Sequence, residues 1–247
     1  MRNFYSFTIS LTPQVVDKFL HWAASGNSHV CYLTSSDHKN DAYSGFDAIL
    51  AVGAHDHICP NPSQDAFEKL KEFTHVWQDW IFGFFSYDLK NQLENLHSNN
   101  VDGIKMPMMH FFVPKLVFIF KNNTVEIGFA TDQTRDHAED ILNIIMSYSP
   151  EPVAASPASV QHRVNKEEYI RQVNRIMSHI QKGDIYEANY CIEFFSENTT
   201  IDPVSTFLSL NRHNPSPFAC FYRYEDKYLI SSSPERFLAK RSDTLIS

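Results

Sequence analysis

Apolar and polar positions follow two rhythms along the chain. Val15, Val16, Phe19, Leu20 and Ala23 recur at helical spacing and predict a first helix over Thr12–Ser25. Asp65–Trp77 and Asp136–Tyr148 read as two more helices, the second buried because Ile141, Leu142, Ile144, Ile145 and Met146 are nearly continuous. From Asn165 onward, Tyr169, Val173, Ile176, Met177 and Ile180 share one helical face. Asn165 and Glu168 stand in capping-box positions, and Gly183 supplies a left-handed stop after Lys182. Val204–His213 predicts a short fifth helix.

The strand rhythm appears at His29–Leu33, Phe46–Val52, Trp80–Asp88 and Tyr186–Phe195, where β-branched and aromatic residues gather. Glu187 and Asn189, two apart, lie on one face of the last of these. Leu116–Phe129 predicts a hairpin turning at Lys121-Asn122-Asn123. Pro215 and Pro217 fix φ and bias Asn214 and Ser216 toward extended backbone. The strands Phe218–Tyr224 and Lys227–Ser232 follow. Phe237–Ala239 and Thr244–Ile246 read as two arms of a hairpin whose second arm has no stop signal, so the sequence reads as the N-terminal part of a longer protein. A glycine inside the apolar run around Gly83 marks close backbone approach or a bulge. The combined pattern predicts an α+β fold, with antiparallel sheets packed as a sandwich and helices outside.

Ser149–Ser159, with three prolines and several small residues, predicts a linker. It divides the chain into residues 1–148, a connection at 149–160, and residues 161–247. Composition narrows the class. Twenty phenylalanines and 11 tyrosines suit strands packed on strands, and 43% hydrophobic with 20% charged residues is ordinary for a globular protein. A net charge of -8 without a basic cluster argues against a nucleic-acid partner. The opening segment lacks a signal-peptide apolar region, and no 18-residue apolar run offers a membrane span. Cys31, Cys59, Cys191 and Cys220 are scattered without metal or disulfide spacing, which points to a reduced, cytoplasmic setting.

His55-Asp56-His57-Ile58-Cys59 alternates three ligand types and on a strand would turn them to one side. No second ligand pair lies nearby, and Pro60 and Pro62 mark a loop, so solvated loop histidines are the expectation. The serines and acids of Thr34–Ser44 read locally as a surface loop.

Three motifs, GDIYEANYC from Gly183, NPSPFACFY from Asn214 and SSSPERFL from Ser231, together resemble the chorismate-utilising enzymes in their order and approximate spacing. The large subunits of aminodeoxychorismate synthase and anthranilate synthase are the most similar. Weaker resemblance extends to Gly83–Leu96 and Thr34–Ala51. The resemblance implies a tryptophan-binding pocket, with Ser36 matching its serine, Tyr43 and Ser44 the end of its loop, and Pro217, Phe218 and Ala219 its Pro-aromatic-small segment. That pocket is a feedback site in anthranilate synthases and a place for structurally held tryptophan in aminodeoxychorismate synthases. Glu235 and Arg236 read as structural.

Glu187 falls where water-adding relatives carry a catalytic lysine and ammonia-using relatives usually carry glutamine. Without lysine no general base activates water there. Two readings of Glu187 stand: an acceptor for ammonia or ammonium, or an exposed strand residue. The resemblance further implies chorismate as substrate, a glutamine amidotransferase subunit as partner, and Mg2+ bound by glutamates that fall beyond Ser247, with no metal ligand within this chain. Because Leu33–Asp37 reads LTSSD where anthranilate members usually show Leu-Leu-Glu-Ser, the expected product is aminodeoxychorismate, for para-aminobenzoate and folate. Anthranilate synthase and a non-catalytic tryptophan-binding fragment are the alternatives.

Overall fold

A computed structural model describes residues 2–36, 45–151, 153 and 156–246. They form two compact units, Met1–Glu151 with Pro203–Ser247, and Pro152–Asp202. The first unit contains β1 (Phe4–Thr8), α1 (Pro13–Gly26), β2 (His29–Thr34), β3 (Ala48–Ile58), α2 (Ala66–Val76), β4 (Phe82–Phe85), β5 (Met109–Lys121), β6 (Thr124–Phe129) and α3 (Arg135–Ser147). The second contains β7 (Gln161–His162), α4 (Lys166–Lys182) and β8 (Phe194–Phe195). The chain then returns to the first unit with α5 (Pro203–His213), β9 (Phe218–Tyr224), β10 (Lys227–Ser233), β11 (Ala239–Arg241) and β12 (Thr244–Ile246).

The large sheet has eight strands in the order β1-β6-β5-β3-β2-β9-β10, with β4 added to β5. Every pairing is antiparallel. Its two faces are sorted by residue parity. Val30, Tyr32, Ala48, Leu50, Val52, Ala219 and Phe221 turn toward helical residues such as Phe19, Leu20, Ala138, Ile145 and Phe207. Cys31, Ile49, Ala51 and Tyr222 turn the other way, into a core with Phe82 and Phe112. A one-residue slip of β2 would exchange the two sets, so burial on both faces fixes the register. Phe19 meets Phe118 and Phe120 edge-on, at 5.3 and 5.1 Å between ring centroids.

The second core exists because the sheet bends. The register between β3 and β5 shifts between Ala54 and Asp56, where Gly53 has φ 68° and Pro114 stands opposite Ala54. Such a bulge bends a strand and raises its local twist. The start of β5 and β4 are thereby carried over β9, where Phe84 meets Tyr222 edge-on at 5.3 Å.

Several elements differ from the sequence pattern. β1 was not predicted; its partner β6 creates it, and five isolated residues carry too little periodicity to announce it. β3 continues through His55 to Ile58 rather than ending in a loop, because β5 supplies hydrogen-bond partners as far as Phe111. The Trp80–Asp88 run contracts to Phe82–Phe85 and is followed by a 3-10 turn at Tyr87–Gln92. Tyr186–Phe195 is extended-looking in sequence, but only Phe194–Phe195 pairs, with Gln161–His162. A strand needs a neighbour for its backbone donors and acceptors, and residues 186–193 have no ladder partner among the described residues.

In the second unit Asn165 accepts from the Glu168 amide at 2.9 Å, and Gly183 closes α4 at φ 81° with its amide on the Ile180 carbonyl. The Arg163 guanidinium lies 3.6 Å from the centre of the Phe195 ring and 2.9 Å from Glu193.

Candidate functional site

The end of β2 separates two cavities in the first unit. One, of about 420 Å3, is lined by Leu33, Thr34, Ser35, Phe46, Pro217, Phe218 and Ala219, and by the Glu235–Arg241 segment. The other, of about 860 Å3, lies on the helical side and takes Tyr32, Thr34, Ser36 and Asp47 from the sheet. Its remaining wall comes from the start of α1, the exit of α3 and the last turn of α5. Thr34 lines both.

Local chemistry positions each wall. The Ser232 hydroxyl donates to the Asn214 carbonyl at 2.5 Å, lies 3.0 Å from the Ser216 hydroxyl, and accepts from the Asn214 amide at 3.2 Å. These bonds, with two ring-locked φ angles, fix how the Asn214–Pro217 turn feeds β9. The Arg236 guanidinium stands 5.0 Å from the Phe218 ring centre, closing the smaller cavity. Ser36 adopts φ 48°; its amide donates to the Thr34 hydroxyl at 3.2 Å, and its own hydroxyl donates to Asn211 Oδ1 at 2.8 Å.

Pro217, Phe218 and Ala219 thus share one cavity, while Ser36 lines the other. Tyr43 and Ser44 lie outside the described residues. Glu187 is exposed, in non-strand backbone of the second unit, with no hydrogen bond or ion pair among the described residues. Sequence reading missed Thr34 and the Glu235–Arg241 wall. The Arg236–Phe218 pairing was the available signal, an arginine eighteen residues from an aromatic across a predicted hairpin.

A second cluster fills the bend of the sheet. His29, His57 and His110 lie with ring centroids 5.1 to 5.8 Å apart. His110 is fully buried, and its Nδ1 hydrogen-bonds the Tyr222 hydroxyl at 2.5 Å. Burial, reinforced by His29 and His57, lowers the His110 pKa to about 3. Burial and then His57 also lower that of His29, with Glu225 opposing and Arg223 assisting. The Nε2 atoms of His29 and His110 are buried without a hydrogen-bond partner. His55 instead packs edge-on against Trp77, and Cys59 accepts from the Tyr224 hydroxyl at 3.6 Å. Among the described residues no three His, Cys, Asp or Glu are placed to hold a metal ion. The described residues therefore offer a magnesium ion no fitting donor set.

Comparison with known proteins bears on which chemistry these elements serve. The family model described as chorismate binding enzyme matches residues 28–247. The chain belongs to the chorismate-binding enzyme family. This family member is 26% identical over 168 residues to anthranilate synthase component 1 of Saccharolobus solfataricus, covering 68% of this chain and 37% of that protein. It is 25% identical over 162 residues to aminodeoxychorismate synthase component 1 of Escherichia coli K12, covering 66% and 35%. The chain therefore spans little more than a third of the length of these two relatives. The solved structure of anthranilate synthase component I from Streptococcus pneumoniae superimposes with a TM-score of 0.65 at 22% identity, over 80% of this chain and 52% of that one. The menaquinone-specific isochorismate synthase of Escherichia coli gives 0.55 at 12% identity. These likenesses establish the α+β fold of antiparallel sheet and helices. No helix of the described residues is long and apolar enough to cross a membrane.

Proposed function

We propose that this chain forms part of the chorismate-aminating component of an aminodeoxychorismate synthase in the cytoplasm. Ammonia from a glutamine amidotransferase partner replaces the C4 hydroxyl of chorismate, which leaves as water, with Mg2+ as the required ion. The family match over residues 28–247 carries the reading, and relatives bearing this name support it. The sequence Leu33-Thr34-Ser35-Ser36 favours it over anthranilate synthase, because the Leu-Leu-Glu-Ser of that subfamily is lacking. The second reading is amination at C2 to give anthranilate, which the relatives named anthranilate synthase favour. In both, Glu187 is the residue of this chain assigned to ammonia, and the smaller cavity, with Pro217, Phe218 and Ala219, is assigned to tryptophan.

The test uses 15N-labelled ammonium, chorismate and magnesium at mildly alkaline pH, with products resolved by mass spectrometry. The 247-residue chain is compared with one extended to the length of the relatives. We expect labelled aminodeoxychorismate from the longer chain and no turnover from the shorter. Labelled anthranilate would replace the first reading with the second, and unlabelled isochorismate would overturn both.

A further inference from the structure

We propose that Cys31 and Cys220 form a redox modification site, where a low-molecular-weight disulfide converts the two thiols into an intrachain disulfide joining β2 to β9. Their spacing in sequence gives no sign of a pair, but the register of the sheet does. Cys31 stands opposite Tyr222, and Leu33 opposite Cys220, on antiparallel strands. Side chains two apart on a strand share a face, so Cys31 and Cys220 are diagonal neighbours on one face of the sheet. That face is the second core: Cys31 and Tyr222 are buried in it, and Leu33 and Cys220 pack against it. The two side chains are in contact, with a hydrogen bond between Cys31 and Cys220. Both are free thiols. β2 lies between β3 and β9, and β9 between β2 and β10, so ladders on both sides hold the two backbone positions. Sulfurs in hydrogen-bond contact reach the roughly 2.05 Å of a disulfide by side-chain rotation and a small strand shift.

The two sulfurs take different parts. Cys220 is half-buried and is the one a small disulfide reaches, whereas Cys31 is only 3% exposed. The bond with Cys220, and then burial, raise the Cys31 pKa well above its ordinary value, so Cys31 keeps its proton and does not attack first. The Cys220 thiolate attacks one sulfur of R–S–S–R, forming a mixed disulfide and releasing R–S−, which takes up the proton that Cys220 lost. Cys31 then attacks Cys220 Sγ, and its proton leaves with the second R–S− as R–SH. Two protein thiols are oxidised and one small disulfide is reduced to two thiols. The remaining cysteines are placed differently: Cys59 accepts from the Tyr224 hydroxyl at 3.6 Å, and Cys191 lies in the second unit. Leu33 and Ala219, beside the pair on the two strands, line the smaller cavity, so the new bond fastens one of its walls.

The experiment incubates the reduced full chain with excess oxidised glutathione at mildly alkaline pH. Remaining thiols are then capped with N-ethylmaleimide in denaturant, and unreduced peptides are mapped by mass spectrometry. We expect the Cys31–Cys220 linked peptide to exceed every other cysteine pair at least tenfold, and dithiothreitol to return both thiols. In concentrated urea that preference should vanish, because the strand register that brings the pair together is gone; a preference that persists there overturns the geometric account. Cys31→Ala should leave Cys220 carrying one glutathione. In the unmodified chain, a lasting glutathione adduct on Cys220 beside maleimide-capped Cys31 overturns the proposal. So does maleimide on both cysteines, or a link from either of them to Cys59. None of these readouts depends on catalysis.

Discussion

A methyl group added at Gly83 would lie 2.2 Å from the His110 carbonyl oxygen and 2.3 Å from the Phe111 ring. The oxygen belongs to a paired strand, so it has little room to yield. Gly83→Ala is expected to lower stability by about 1–3 kcal/mol, read as a lower urea midpoint with an unchanged slope. An unchanged midpoint would mean that β4 does not approach β5 this closely. The histidines at the bend govern a pH response. His29 and His110 are neutral when folded because their pKa values are depressed, whereas the unfolded chain takes up protons near pH 6.5. The His110 contribution is therefore full above pH 6.5 and falls as pH drops from there toward about 3, and that of His29 falls in the same direction. The loss is about 1.4 kcal/mol per pH unit for each fully neutral histidine. Urea midpoints measured between pH 7 and 5 should fall, and His110→Asn, which keeps an acceptor near Tyr222, should flatten the fall. A pH-independent midpoint in the unmodified chain would sink this account.

At the scale of elements, α4 was legible almost to the residue, because its cap, its stripe and its stop are all local. Asn165→Ala removes the cap on the Glu168 amide and should cost about 1 kcal/mol. Gly183→Ala forces a side chain into the left-handed region and should cost about 1–2 kcal/mol. Faster amide exchange across residues 166–182 would register both, and wild-type rates in either variant would count against that cap. The five helices were foreseen for the same reason, since a helix satisfies its own backbone. Strands were legible only where two apolar faces or a tight turn marked them. β9 and β10 were clear from their pairing pattern, but the limits of β3, β4 and β5 depend on partners far away in sequence. Residues 186–193 have strand composition and no ladder partner among the described residues, so composition misled there. The cavities suffered similarly. Pro217, Phe218 and Ala219 are contiguous in sequence and line one cavity together. The separation of Ser36 from them follows from its backbone turn at φ 48° and its bond to Asn211, 175 residues away.

At the scale of the molecule, β2 lies inside the sheet with β3 on one side and β9 on the other. β3 follows within a few tens of residues, whereas Thr34 pairs with Ala219 and His29 with Tyr224. A ribosome adding roughly 5–20 residues per second needs about ten to forty seconds to pass from one to the other. Throughout that interval the outer edge of β2, bearing Val30, Cys31 and Tyr32, has emerged without the strand that will cover it. Exposed apolar edges of this kind recruit other chains. The yield of folded protein during synthesis should therefore depend on chaperone supply and translation speed more than its final stability suggests. Synonymous changes that hasten translation between codons 34 and 219 would shorten the vulnerable window and raise that yield.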